Sequence, residues 1–211
     1  MNPPEFLFKI LIIGDPGCGK SSLTKRFVHG KFSDQAIPTI GVDFLLKIIT
    51  LPDPEAVIRL QLWDVAGQER FGNLTKQYYR DAVAAILLMD ITRPETLNGA
   101  AKWKHDLDDK LEVDGESVPV LLVCNKIDIL NGKKEYIDSM AEKLNKWVVD
   151  EKASGFLMTS AKTNENVDSA FSFIIDQIMS KKSNLIAGEQ GNIGLRLGKE
   201  EKREEIETCT C

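Results

Sequence analysis

Three short stretches of this 211-residue chain carry residue types suited to phosphate, metal and purine chemistry. Gly14-Asp15-Pro16-Gly17-Cys18-Gly19-Lys20-Ser21 fits the pattern G-x-x-x-x-G-K-[ST]. Small residues let backbone N–H groups of Gly17, Cys18 and Gly19 wrap phosphates, and a helix starting at Lys20 adds partial positive charge. Lys20 supplies a point charge to the outer phosphates, and Ser21 offers a hydroxyl to Mg²⁺. Pro16 has no N–H and a fixed φ, so it adds no donor and reads as a harmless loop position.

The second stretch, Asn125-Lys126-Ile127-Asp128, follows an apolar run. The Asp128 carboxylate can accept hydrogen bonds from guanine N1–H and the exocyclic N2 amine, whereas adenine would leave it unpaired. Sites of that kind discriminate by roughly 10⁴-fold or more. Asn125 and Lys126 would buttress the loop and cover the base. Ser160-Ala161-Lys162, which ends the next strand, has backbone within reach of the base O6. The third stretch is Trp63-Asp64-Val65-Ala66-Gly67-Gln68-Glu69-Arg70. Asp64 can hold Mg²⁺, through water since this ion keeps several waters. Gly67 can present its N–H to a terminal phosphate, and Gln68 can orient an attacking water.

Elements must bring these stretches together. Phe6 to Ile13, Asp43 to Thr50, Val57 to Trp63, Ala82 to Met89, Val118 to Cys124 and Gly155 to Thr159 read as strands. The runs Ala82 to Met89 and Val118 to Cys124 have the continuous apolar character of strands covered on both faces. Leu51-Pro52-Asp53-Pro54 reads as a turn. Lys20 to His29, Glu95 to Leu111, Lys134 to Lys152 and Val167 to Ser180 read as helices, the last with an i, i+3, i+4 apolar stripe. The alternation predicts an α/β fold: a six-stranded, mostly parallel sheet with helices on both faces, binding its ligand beyond the carboxyl ends of the strands. The domain spans residues 1–182. Residues 183–211 are poor in large apolar groups and read as a flexible tail.

Composition narrows the class. Lys and Arg number 27 against 32 Asp and Glu, a net charge of −5 that argues against nucleic acid as partner. No apolar run approaches the roughly 20 residues of a membrane span. The N-terminus lacks a signal peptide's basic region, and Asn2 rules out N-myristoylation. The four cysteines lack zinc spacing and point to a reducing compartment. By themselves, Cys209 and Cys211 read equally as free thiols or as modification sites. His29, His105, Trp103 and Trp147 read as surface or packing residues, and Asp106, Asp108 and Asp109 as a solvated helix face.

With these motifs in order, the chain resembles the Ras-like small GTPases, and within them the Rab branch. The resemblance covers Phe6 to Ser180 through Gly14–Ser22, Pro38–Phe44, Trp63–Phe71, Asn125–Asp128 and Ser160–Lys162. It is greatest to the subgroup linked to lysosome-related organelles. It implies that Ser22 joins the phosphate loop, that Thr39 binds Mg²⁺ and senses the γ-phosphate, and that Phe32 packs against the guanine edge. The segment around Thr39 and the one after Gly67 would be switches ordered by GTP and released on hydrolysis. Phe44, Trp63 and Tyr78 match the aromatic trio that Rabs offer to effectors. Cys209-Thr210-Cys211 matches the Rab Cys-x-Cys ending, whose thiols take geranylgeranyl groups.

The implied protein cycles between GDP and GTP to regulate vesicle traffic. It works with effectors, an exchange factor, a GTPase-activating protein and prenyl-binding escort or dissociation-inhibitor proteins. It would sit on the cytoplasmic face of an endomembrane, such as that of the endolysosomal system, with a carrier-bound cytosolic pool. No arginine finger is evident in cis, so intrinsic turnover is expected on the order of 10⁻⁴ to 10⁻² s⁻¹. Ala36 stands where many relatives carry Tyr, and Pro16 where many carry Gly or Ser. These departures leave open a binding module with vestigial hydrolysis. The Asn-Lys-x-Asp element speaks against a P-loop kinase using ATP.

Overall fold

Alternate side chains of a strand leave opposite faces, so a strand covered on both sides feeds two cores at once. The computed structural model describes residues 3–35, 37–52, 55–69, 75–113, 116–130 and 132–188. In β1 (Glu5–Gly14), Phe8, Ile10 and Ile12 enter one core layer, while Leu11 and Ile13 enter the other. The same division runs through β3 (Glu55–Val65), β4 (Ala84–Asp90) and β7 (Val120–Asn125). A one-residue register slip would exchange these two sets, so the apolar pattern pins the pairing.

β2 (Val42–Pro52) and β8 (Gly155–Met158) complete a six-stranded sheet in the order β2-β3-β1-β4-β7-β8. All neighbours are parallel except β2, which runs antiparallel to β3 at the edge. This is the sheet expected from the alternation of strands and helices. Helices α1 (Lys20–His29) and α5 (Val167–Gly188) cover the first layer, through Leu23, Phe27, Phe171, Ile174 and Ile178. The short α2 (Thr75–Tyr79), α3 (Thr96–Lys110) and α4 (Lys134–Asp150) cover the second, through Tyr79, Trp103, Leu107, Leu144 and Trp147. Trp103 and Trp147 are therefore packing residues, as their types suggested. Among the described residues no helix is long and apolar enough to cross a membrane.

Some elements differ from expectation. β2 runs through Leu51 to Pro52, which pairs with Glu55, because an edge strand tolerates a residue without an N–H. α5 continues past Ser180 to Gly188, beyond the boundary drawn at 182. Its Lys181 is held by a hairpin that no sequence signal announced, β5 (Glu112–Val113) and β6 (Glu116–Ser117). Lys181 Nζ donates to Glu116 Oε2 at 3.0 Å and to the Ser117 carbonyl at 2.8 Å. The acidic cluster of α3 is not simply solvated. Asp106 accepts from the buried Tyr79 hydroxyl at 3.0 Å and pairs with Lys110, and Asp108 pairs with the buried Lys104. Ala36, Cys209 and Cys211 lie outside the described residues.

The first layer is centred on Phe27 and Phe171, whose rings stack 3.7 Å apart and within 7° of parallel. Phe171 is fully buried. Phe171→Ala is expected to lower unfolding free energy by about 3–5 kcal/mol through lost burial and a residual cavity. Urea denaturation at fixed nucleotide concentration measures this.

Candidate functional site

β1 ends at Gly14, and the loop that follows turns back into α1 beneath the carboxyl edge of the sheet. Gly19 takes φ 94°, and a Cβ there would lie 2.4 Å from Asn125 Nδ2, so only glycine fits. Lys20 is 6% exposed, and its Nζ donates to the carbonyls of Gly14 at 2.9 Å and Asp15 at 3.1 Å. Burial pushes its pKa down, while Asp64 opposes that shift. The Cys18 side chain faces the core and is fully buried, leaving its backbone to the loop.

Ser21, Thr39 and Asp64 converge from three elements. Ser21 Oγ donates to Asp64 Oδ2 and lies 2.7 Å from Thr39 Oγ1. Thr39 Oγ1 donates to the same carboxylate oxygen at 3.4 Å. Asp64 Oδ1 is buried without a hydrogen-bond partner among the described residues. Burial raises the Asp64 pKa, against the Ser21 hydrogen bond and the Lys20 charge. An orphaned buried carboxylate oxygen beside two hydroxyls suits a small hard cation that takes its remaining ligands from water and phosphate. Among the described residues no group of three His, Cys, Asp or Glu side chains could hold a metal ion.

The purine side is assembled around Asn125. Its Nδ2 donates to the Cys18 carbonyl at 3.0 Å, and its Oδ1 accepts from Thr159 Oγ1 and the Ala161 N–H, both at 3.2 Å. Within the Ser160-Ala161-Lys162 backbone expected near the base, the Ala161 N–H is thus engaged by Asn125. Asp128 Oδ1 accepts from Ser160 Oγ at 2.6 Å. Among the described residues no hydrogen bond engages the second Asp128 oxygen, which faces the ligand side. Lys126 has φ 72°, a left-handed conformation that a side-chain-bearing residue keeps only under constraint.

A cavity of about 1030 Å³ joins these parts. Its walls include Pro16, Gly17, Gly19, Lys20, Ser21, Ser22, Phe32, Thr39, Gly67, Gln68, Asn125, Lys126, Asp128, Ala161 and Lys162. The side chains of two motif residues turn away from the cavity, Cys18 into the core and the Ser160 hydroxyl to Asp128, so any part they take at the nucleotide is through backbone. Asp64 likewise sits beneath, reaching the cavity through Ser21 and Thr39.

The Ras family model matches residues 9–180. The chain is 47% identical to the Ras-related protein Rab-32A of Dictyostelium discoideum over 177 residues, covering 83% of this chain and 79% of that protein. It is 38% identical to human Rab-32 over 208 residues, 98% of this chain and 90% of the relative. Human Rab-7L1 is 39% identical over 180 residues, 85% and 86% of the two chains. The chain is a Rab-type small GTPase of the Ras family. It binds and hydrolyses GTP and acts in membrane trafficking, with effectors, exchange factors, activating proteins and dissociation inhibitors as its kinds of partner.

The aromatic trio comes from three elements, Phe44 from edge strand β2, Trp63 from β3 and Tyr78 from α2. Phe44 is 48% exposed, and its ring meets that of Trp63 edge-on at 5.9 Å. Tyr78 packs with Trp63 against the second core layer. Lys9 Nζ sits 3.7 Å from the Trp63 ring centroid and donates to the Arg80 carbonyl at 2.7 Å, so it fixes both Trp63 and the end of α2. Burial lowers the Lys9 pKa, against the charge of Asp81.

Three charged residues escaped the sequence reading. Arg26 Nε donates to the Ala161 carbonyl and Nη2 to the Lys162 carbonyl, both at 2.8 Å, while Nη1 donates to Gly30 O at 2.7 Å. Its guanidinium also stands 5.8 Å from the Phe32 ring centroid. No signal could find it, since the partners that tie it to the site are backbone carbonyls more than a hundred residues away. Asp90 is the last residue of β4, and Arg93 lies in the turn after it. An acidic residue closing an all-apolar strand at its carboxyl end was the available clue. Among the motif residues, Asn125→Ala would leave the Cys18 carbonyl, the Thr159 hydroxyl and the Ala161 N–H short of partners, each costing about 1–3 kcal/mol if buried. GDP affinity is expected to fall at least about tenfold, read by titration with a fluorescent GDP analogue.

Proposed function

We propose that this GTPase uses the cavity as a Mg²⁺-dependent GTP site whose slow hydrolysis times a membrane-traffic switch. The observation that supports it best is the single cavity joining the Ser21–Thr39–Asp64 cluster, with its orphaned oxygen, to the open carboxylate of Asp128. Ser21 and Thr39 would ligate Mg²⁺ directly and Asp64 through water; the bound ion would neutralise charge between the outer phosphates.

Gln68 lines the cavity and is exposed, so it is free to orient a water in line with the γ-phosphate, aided by the Thr39 backbone. Lys20 and the loop N–H groups stabilise the developing charge. A Cβ on Gly67 would meet Pro16 N at 2.4 Å, so the segment bearing Gln68 rests directly on the phosphate loop. Asp128 reads the guanine N1–H and N2 amine, with Phe32 at the base edge and Lys126 over its face. An activating protein supplies the missing cationic charge, so turnover by the chain alone is slow, on the order of 10⁻⁴ to 10⁻² s⁻¹.

Phe44, Trp63 and Tyr78 are the surface offered to effectors in the GTP state. Cys209 and Cys211 carry the lipid chains, since two anchors hold a protein on a bilayer where one is marginal. The anchored protein would sit on the cytoplasmic face of an endomembrane, such as that of the endolysosomal system to which the subgroup resemblance points.

Gln68→Leu is expected to abolish hydrolysis stimulated by an activating protein while GTP stays bound. Single-turnover assays with labelled GTP read both quantities, and unchanged turnover would remove Gln68 from the mechanism. Replacing Cys209 and Cys211 together by Ser is expected to move the protein from the membrane to the soluble fraction on cell fractionation. Retained membrane association would show that the anchor lies elsewhere.

A further inference from the structure

Arg93 touches the phosphate loop without facing the cavity. Its Nη2 donates to the Pro16 carbonyl at 2.9 Å and lies 3.7 Å from Cys18 Sγ. A Cβ on Gly17 would come within 3.4 Å of the same nitrogen. Arg93 does not line the cavity, and its contact with the loop is to the Pro16 carbonyl, so it braces the loop from outside. Its Nε is 3.2 Å from Asp90 Oδ2. That oxygen also takes Lys126 Nζ at 2.7 Å. One buried carboxylate, 1% exposed, thus holds a cation from each of two loops, one reaching the phosphate loop and the other belonging to the guanine loop.

The turn that carries Arg93 is itself fixed. Asp90 Oδ1 accepts from the Thr92 N–H at 3.0 Å and the Thr92 hydroxyl at 2.6 Å. The Arg93 N–H donates to the Asp90 carbonyl at 2.9 Å, and Thr96 Oγ1 donates to the Arg93 carbonyl at 2.7 Å. On the far side, the Ile91 N–H donates to the Asn125 carbonyl at 3.0 Å, next to the left-handed Lys126. Pro16, which can donate nothing, therefore contributes through its carbonyl as the acceptor for this brace.

We propose that Asp90 and Arg93 are positioning residues that latch the phosphate loop to the guanine loop and thereby slow nucleotide release. The latch works through other residues and touches no nucleotide. The shared carboxylate couples the two loops, so loosening either one strains two charge-assisted bonds together. The inference rests on the cavity being the nucleotide site.

Stopped-flow release of a fluorescent GDP analogue from the full chain, in Mg²⁺ and excess GDP, tests it. Arg93 is 41% exposed on its side chain, so Arg93→Gln folds more safely than a change at Asp90. Arg93→Gln is expected to speed release about tenfold. Arg93→Lys keeps the charge but cannot hold both acceptors at once, so its rate should fall between the two. The factor by which EDTA accelerates release should be the same in parent and variant, because the Ser21–Thr39–Asp64 cluster is untouched. Asp90→Asn combined with Arg93→Gln should release no faster than Asp90→Asn alone, since Arg93 is aimed by Asp90. Release at the parent rate in Arg93→Gln would overturn the latch. So would equal acceleration in the Gln and Lys variants accompanied by equal falls in urea midpoint, which would mean lost packing. A parent chain that binds no GDP analogue would instead overturn the reading of the cavity, and the latch with it.

Discussion

The Asn125 side-chain amide is the interaction on which the rest of the site depends. It is buried at the carboxyl end of β7 and joins the phosphate loop, through the Cys18 carbonyl, to the segment after β8, through Thr159 and Ala161. One amide offers both donors and an acceptor with two lone pairs, so it can bridge loops whose free groups differ in kind. Inside a protein such bonds are electrostatically stronger than in water, and a missing partner is correspondingly costly. The close approach has a steric condition as well. Gly19 must lack a Cβ, because that atom would stand 2.4 Å from the amide nitrogen. The glycine of the phosphate motif and the asparagine of the base motif are two halves of one contact.

Much of the fold follows from strand patterning, because in a doubly covered sheet each strand must alternate between two cores. The motif residues were legible for a related reason. Their chemistry demands fixed types at fixed local spacing, as at Gly14–Ser21 and Asn125–Asp128. Arg26 and Arg93 were not legible, because the partners that tie them to the site are carbonyls on distant segments, and Asp90 offered only its place at the end of an apolar strand. A charged residue on a helix or turn is usually solvated, and nothing in its own neighbourhood says otherwise. Asp106 failed the same way: a run of acidic residues suggests water, yet the buried Tyr79 hydroxyl below it needed an acceptor. The continuation of α5 past Ser180 was missed because the strands β5 and β6, whose Glu116 and Ser117 hold Lys181, are too short to announce themselves by periodicity. Ala161 shows a subtler limit. Its motif membership was legible, but whether its N–H serves the ligand or the scaffold depends on the position of Asn125.

The site divides into a half held by the scaffold and a half that is not. The phosphate and guanine loops are tied by Asn125, Arg26, Asp90 and Arg93 to strands and helices. The segment around Thr39 is different. Ile37 and Ile40 are 84% and 94% exposed, and its polar link to the site runs through Thr39 to Ser21 and Asp64. Apolar side chains that exposed gain free energy from any conformation or partner that covers them, at roughly 25 cal/mol per Å² of apolar area removed from water. A ligand holding Thr39 would choose among such conformations, provided its interaction differs between them. The rigid half fixes where the phosphates lie, and the exposed half supplies a surface whose arrangement depends on what Thr39 touches. Phe44, at the start of β2, directly continues that segment. Repositioning Thr39 therefore changes the border of the same aromatic surface that Lys9 and Trp63 hold in place from the sheet.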